Sequence, residues 1–145
     1  MNIYNYLKKD HRAVDEIFEK ILSSKSSKKR ETLFNEVANE LLLHAKTENA
    51  TFYEALKGHE ETEEIIEHAE EEHEEVKGYI EKLSGIPIES EKWLEQFGEF
   101  KHSVTHHVNE EEGNIFEKAK RVLSRKQEYQ LAEDMDALKK ETKAL

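Results

Sequence analysis

The sequence predicts an all-α fold: an up-down-up-down antiparallel four-helix bundle closed by a short C-terminal fifth helix. Three observations predict it. Its 145 residues hold one Pro and five Gly and are rich in Glu, Lys, Leu and Ala, so helix breakers are scarce and helix formers abundant. Apolar residues recur at steps of three and four along most of the chain, which marks one buried face per helix. Short polar breaks join the periodic segments, and short connections set consecutive helices side by side in opposite directions. The length is that of one domain, expected to span 1–145.

The first helix is expected from about Asn2 to Leu22, striped by Ile3, Leu7, His11, Val14, Phe18 and Ile21. The polar run Ser23–Ser27 reads as a loop. The second helix covers about Lys28 to Lys57, with Leu33, Val37, Leu41, His44, Glu48, Phe52 and Leu56 facing inward. Gly58-His59 is the turn, with glycine suited to the position after a helix end. The third helix covers about Glu60 to Leu83, striped by Ile66, Ala69, His73, Val76, Ile80 and Leu83. Ser84–Glu89 holds the only Pro and is the clearest break. The fourth helix starts near Ser90 as N-cap and carries Leu94, Phe97, Phe100, Val104, His107, Glu111 and Ile115 on one side. Ser124 with Gln127 resembles a capping box and opens the fifth helix, to about Lys143. Tyr129, Leu131, Met135 and Leu138 are expected to pack on the bundle.

Charged residues make up 38% of the chain, a fraction compatible with disorder, but the apolar periodicity argues for a folded bundle. A formal net charge of −11 removes the basic footprint that nucleic acid or anionic lipid requires, so neither is expected as a partner. No stretch approaches the roughly 20 apolar residues of a membrane span, and the N-terminus lacks a signal-peptide core. Zero Cys excludes disulfides, Fe–S ligation and thiolate chemistry, and fits a cytoplasmic protein.

Within the stripes, one statement is made twice. His11 precedes His44-x-x-x-Glu48 by 33 residues, and His73 precedes His107-x-x-x-Glu111 by 34. The surrounding residues repeat at offsets of 62 and 63, giving two related helix pairs over roughly 3–57 and 65–120. The spacing alone carries little weight, because His59/Glu63, His68/Glu72 and His106/Glu110 share it. Phase separates them: His11, His44, Glu48, His73, His107 and Glu111 all sit where the pattern demands an inward side chain. His59, His68, His102 and His106 fall outside and are expected at the surface.

Residues four apart on a helix lie roughly 5–6 Å apart at Cβ, so each His and its Glu can share one site. Buried carboxylates and imidazoles without partners are costly. A pair of divalent ions supplies four positive charges against two carboxylates, and mixed imidazole–carboxylate ligation suits Fe, Zn, Mn or Co. Glu40, one turn before His44, and Glu72, beside His73, are candidate supporting groups.

At these residues the chain resembles the hemerythrin-like HHE cation-binding family. The shared pattern spans positions 11 to 111, with Asp10-His11 and His106–Glu112 followed by Ile115-Phe116 as matching local texture. The resemblance implies a non-haem di-iron centre in the middle of the bundle. Glu48 and Glu111 are then bridging carboxylates, His11, His44, His73 and His107 terminal ligands, and an oxo, hydroxo or water bridge completes the pair. Zn or Mn can take the place of iron in a recombinant sample. The oxygen-carrying hemerythrins use five His, two of them one turn apart on the third helix. Here the positions either side of His73 are Ala69 and Lys77, so one ligand is missing. The resemblance therefore implies binding of O2, NO or peroxide for sensing, storage or redox defence rather than simple oxygen carriage, with a redox partner unspecified. Members associated with repair under nitrosative or oxidative stress resemble this four-His pattern too, and carry an additional Cys-bearing domain.

Two other readings stand beside this one. A ferritin-like carboxylate iron protein uses Glu-x-x-His, which Glu70/His73 and Glu99/His102 fit in letters. That reading leaves His11, His44 and His107 unexplained. A metal-free helical interaction module would keep the His layer as a vestige or as a pH-sensitive core.

Overall fold

In a computed structural model that describes residues 1–144, the chain is helical almost throughout. Helix α1 spans Ile3–Ser23 and α2 spans Ser27–Glu48. A π-helical turn, Asn49–Tyr53, continues α2 into α3, Glu54–Lys57, so 27–57 is one rod. Helix α4 spans Glu60–Ser84 and α5 spans Glu91–Glu110. A second π-helical turn, Glu111–Ile115, leads into α6, Phe116–Val122, and α7 spans Arg125–Ala144.

The helix starts follow from local polar residues. Asn2 and Ser26 cap the first two rods by accepting from the backbone N–H of Asn5 and Lys29. Ser90 accepts from Trp93 N–H at 3.2 Å, as expected. Ser124 and Gln127 bond reciprocally, at 2.8 and 3.2 Å, and form the expected capping box. Gly58 follows its helix as expected, at φ −76°, ψ −2°, a conformation open to any residue.

The apolar interior consists of two clusters. One gathers Val14, Phe18, Phe34, Val37, Val76, Ile80, Trp93, Phe97 and Phe100 at one end of the bundle. The other gathers Ile3, Leu7, Phe52, Leu56, Ile66, Ile115, Phe116 and Met135 at the opposite end. Each of the four rods runs from one cluster to the other, and successive rods run in opposite senses. His11, His44, His73 and His107 occupy the boundary between them. Helix α7 packs across α1 and α2. Tyr4 and Tyr6 of α1 donate hydrogen bonds to its Glu128 and Asp136, at 2.7 and 3.1 Å.

Two inward assignments are corrected by one residue, and a third, Tyr129, by exposure. Leu94 is 41% exposed, and Trp93 is buried in its place, its ring stacked on Phe97 at 5.1 Å. Trp93, Phe97, Phe100 and Val104 keep steps of four, three and four, and the larger side chain takes the core. Phe34 likewise occupies the core while Leu33 packs at its edge. On α7, Leu131, Ala132 and Met135 are buried, whereas Tyr129 is 47% exposed. Trp93→Ala is expected to cost about 3–5 kcal/mol of unfolding free energy by the usual cavity penalty. Leu94→Ala is expected to stay within about 0.5 kcal/mol. Urea titration of the two variants checks the assignment, and equal losses would refute it.

Candidate metal centre

The six expected residues meet in one layer. Glu48 and Glu111 are fully buried, and His11, His44, His73 and His107 are buried around them. The four imidazoles form two pairs: the His11 and His44 rings lie 5.2 Å apart, and the His73 and His107 rings 4.8 Å apart. The carboxylates stand between the pairs. Glu48 Oε1 is 3.3 Å from His44 Nε2 and 3.2 Å from His73 Nε2. Glu111 offers Oε1 to His11 Nε2 at 3.1 Å and Oε2 to His107 Nε2 at 3.6 Å.

All four Nε2 atoms point to the centre because each Nδ1 is held from outside. Asp10 holds His44 at 2.8 Å, and Asn49 holds His73 at 2.8 Å. Glu72 holds His107 at 2.9 Å, and Glu112 holds His11 at 2.7 Å. Each supporting residue is the chain neighbour of one central residue and grips the imidazole of the next rod. The four grips therefore run as a closed ring through all four rods. Such partners fix ring orientation and tautomer and raise ligand basicity.

The π-helical turns make part of this ring possible. Adjacent residues on an α-helix point about 100° apart. At Glu48-Asn49 and Glu111-Glu112 both neighbours serve the same layer, and in each case the backbone widens at that step. Such bulges recur at functional sites. Sequence periodicity carries no mark of them.

Of the two supporting groups expected from sequence, Glu72 is in place, holding His107 rather than its neighbour His73. Glu40 is half-exposed, and Lys143 lies 3.8 Å from it. Asp10 does the work expected of Glu40, and the close Lys139–Asp10 ion pair ties α7 to it. Asp10, Asn49 and Glu112 were missed, although each sits beside a central residue in sequence. Tyr53 was missed as well. Its hydroxyl donates a hydrogen bond to Glu111 Oε2 and lies 3.4 Å from His107 Nε2, and its ring stacks on His73 at 5.2 Å. Among the other histidines, His68, His102 and His106 are exposed and His59 is half-buried at the turn. The exposure of His102 takes Glu99-x-x-His102 out of the layer, and Glu70 pairs with Lys57 at 3.0 Å. The ferritin-like arrangement is not assembled.

Buried polar atoms at the centre lack hydrogen bonds: Nε2 of His11, His44 and His73, both oxygens of Glu48, and Oε1 of Glu111. An orphaned buried acceptor is costly, and so many together mark a ligand. The same atoms sort into two donor sets that fit cations: Glu48, His73, His107 and Glu111, and His11, His44 and Glu111. A hydrogen-bonded imidazole–carboxylate set of this type suits first-row transition metals.

A family model described as the hemerythrin HHE cation binding domain matches residues 2–119. The chain belongs to this family. The crystal structure of a hemerythrin HHE cation binding domain-containing protein from Mycobacterium kansasii is similar, with a TM-score of 0.88 and 25% identity over 99% of this chain and 88% of that one. A DNA nickase from Nostoc is 25% identical over 142 residues. That match takes in 96% of this chain but only 39% of the nickase. The HHE layer thus accounts for the orphaned atoms, since cation binding is the family's defining property. Among the described residues no helix is long and apolar enough to cross a membrane.

Without a cation, protons take its place. Burial disfavours the His44 imidazolium, but Glu48 and Asp10 outweigh it and lift the pKa to about 10. Burial opposes His107 in the same way, and its bonds to Glu111 and Glu72 lift it to about 10. Burial pushes Glu111 up, yet His107 and His11 hold it well below the ordinary carboxylate value. Asp10, despite burial, is drawn down to about 2 by His44 and Lys139. Burial and the two carboxylates push the Tyr53 phenol well above its usual value, so it remains a donor.

The raised imidazoles stabilise the metal-free fold fully below about pH 6.5 and lose that contribution as pH rises toward 10. The lowered carboxylates contribute fully above about pH 4.5 and lose it as pH falls. The denaturation midpoint of metal-free protein is expected to peak between these limits, and a midpoint still rising from pH 7 to 10 contradicts this. Metal loading reverses the alkaline loss, because ligation requires neutral imidazole and releases the protons.

Proposed function

We propose that the chain is a non-haem di-iron protein that binds O2, NO or peroxide for sensing, storage or redox defence. The observation that carries this reading is the set of orphaned atoms facing one another at the centre. In this reading His11 and His44 hold one ion, and His73 and His107 the other. Glu48 and Glu111, each facing both histidine pairs, would be shared between the two ions. Two redox-active ions, when bound, supply electrons and open coordination positions to a small ligand.

The residues around the centre set its asymmetry. Both carboxylates face each pair, but the His73–His107 side also has Tyr53 within reach, and the His11–His44 side is poorer by that group. A cleft of about 290 Å³ opens on that poorer side, between α1 and α5. Its walls combine Val14, Phe18, Val104 and Val108 with polar residues such as Arg12, Asp15 and Asn109, and His11 and Glu112 line it too. The cleft has room for a small diatomic beside His11. Tyr53 offers a phenol on the side where a fifth histidine is missing, and it can hold or deliver a proton there. The charge of −11 argues against a DNA-binding surface, and the nickase name belongs to a protein of which this chain spans 39%.

Protein produced with iron is expected to carry two iron atoms per chain and, when reduced, to change its optical spectrum on exposure to O2 or NO. Absence of metal, or indifference to both gases, would overturn the reading. Tyr53→Phe is expected to keep the iron stoichiometry and alter the spectrum and the rate of the gas response. In metal-free protein it removes the partner of Glu111 Oε2, at a cost of about 1–3 kcal/mol. A variant indistinguishable from the parent in both spectrum and rate rules out the role given to the phenol.

A further inference from the structure

Of the three His-x-x-x-Glu segments outside the stripes, two lie on adjoining helices: His68–Glu72 on α4 and His106–Glu110 on α5. The two helices pack against each other, and one ligand atom each of His68, Glu72 and Glu110 lies within 4.8 Å of the other two, with His106 beside Glu72 and Glu110. Glu72 Oε2 is 3.7 Å from His68 Nε2 and 3.8 Å from His106 Nε2. His106 Nε2 is also 3.4 Å from Glu110 Oε2. A tetrahedral ion with ligands at about 2.0–2.1 Å sets neighbouring ligand atoms about 3.3–3.4 Å apart. These three spacings approach that edge, and rotation of the exposed His68 and His106 side chains toward the buried Glu72 closes the rest.

We propose that His68, Glu72, His106 and Glu110 form a third, solvent-facing metal site that takes a borderline divalent ion such as Zn2+ or Cu2+. Two neutral imidazoles and two carboxylates balance the charge of the ion. Imidazole ligation favours these ions over Mg2+ and Ca2+, which prefer all-oxygen shells. Rigid helices present the four groups, so little ordering is required.

Glu72 makes the site more than a surface chelate. Its Oε1 accepts from His107 Nδ1 at 2.9 Å, while its Oε2 faces the two surface histidines. An ion on Oε2 draws charge from Oε1 and loosens the grip on His107. Occupancy outside is thereby felt at the centre. This coupling involves the family's layer, but the surface site stands on its own geometry.

Untagged protein and the H68A/H106A variant are titrated with Zn2+ by calorimetry. Both residues are exposed and lie outside the apolar clusters, so the variant keeps its fold, which thermal unfolding verifies. The parent is expected to take up one equivalent per chain more than the variant, and Mg2+ to produce no such difference. Equal Zn2+ uptake overturns the proposal. The difference between the proteins is the readout, so failure of the central site to load leaves the test intact. In Zn2+-loaded protein, the additional equivalent is expected to shift the His107 imidazole resonances in the parent only. Unmoved resonances overturn the link through Glu72.

Discussion

A layer of charge across the waist of an oily bundle is the constraint on which the rest of the structure depends. Glu48 and Glu111 are wholly removed from water, with apolar clusters above and below them. A buried charge left unpaired costs several kcal/mol. The four rods therefore cannot choose their register freely. Any slip of one rod by a turn would set a carboxylate against Phe52 or Phe100 and strand its partners. The polar layer thus specifies alignment, while the two clusters supply the driving force for burial.

The ring of grips explains how flexible side chains are held at such a place. An imidazole anchored only by its own helix can rotate. One also held through Nδ1 by a neighbouring rod cannot, and each rod both gives and receives one grip. Asp10 and Glu72 do the same work 62 residues apart, as do Asn49 and Glu112 at a separation of 63. The one chemical difference in the ring is an amide at Asn49 where its counterpart is a carboxylate. That leaves His73 with the least basic support, on the side where Tyr53 approaches.

The helices and the six central residues were legible because periodicity reports phase, and phase reports burial. His107 could be told from His106 on that ground alone. The signal failed where phase is weakly defined. At the start of α5 both Trp93 and Leu94 are apolar, and only packing against Phe34 and Phe97 decides between them. It failed again at the π-helical turns, because a widened backbone step is a tertiary compromise with no local signature. Asp10, Asn49 and Glu112 were hidden for a related reason: each acts on a different rod from its own. Glu40 shows the converse error, since proximity along one helix did not bring it to the layer.

The ion pair between Lys139 and Asp10 reaches across a boundary drawn by ancestry. Residues 2–119 carry the family match, yet α7 lies beyond them and its cation rests on the group that orients His44. A positive charge there drains electron density from the Asp10 carboxylate and makes His44 a poorer donor. Charge on the C-terminal helix is thus wired to the polar layer through a single carboxylate.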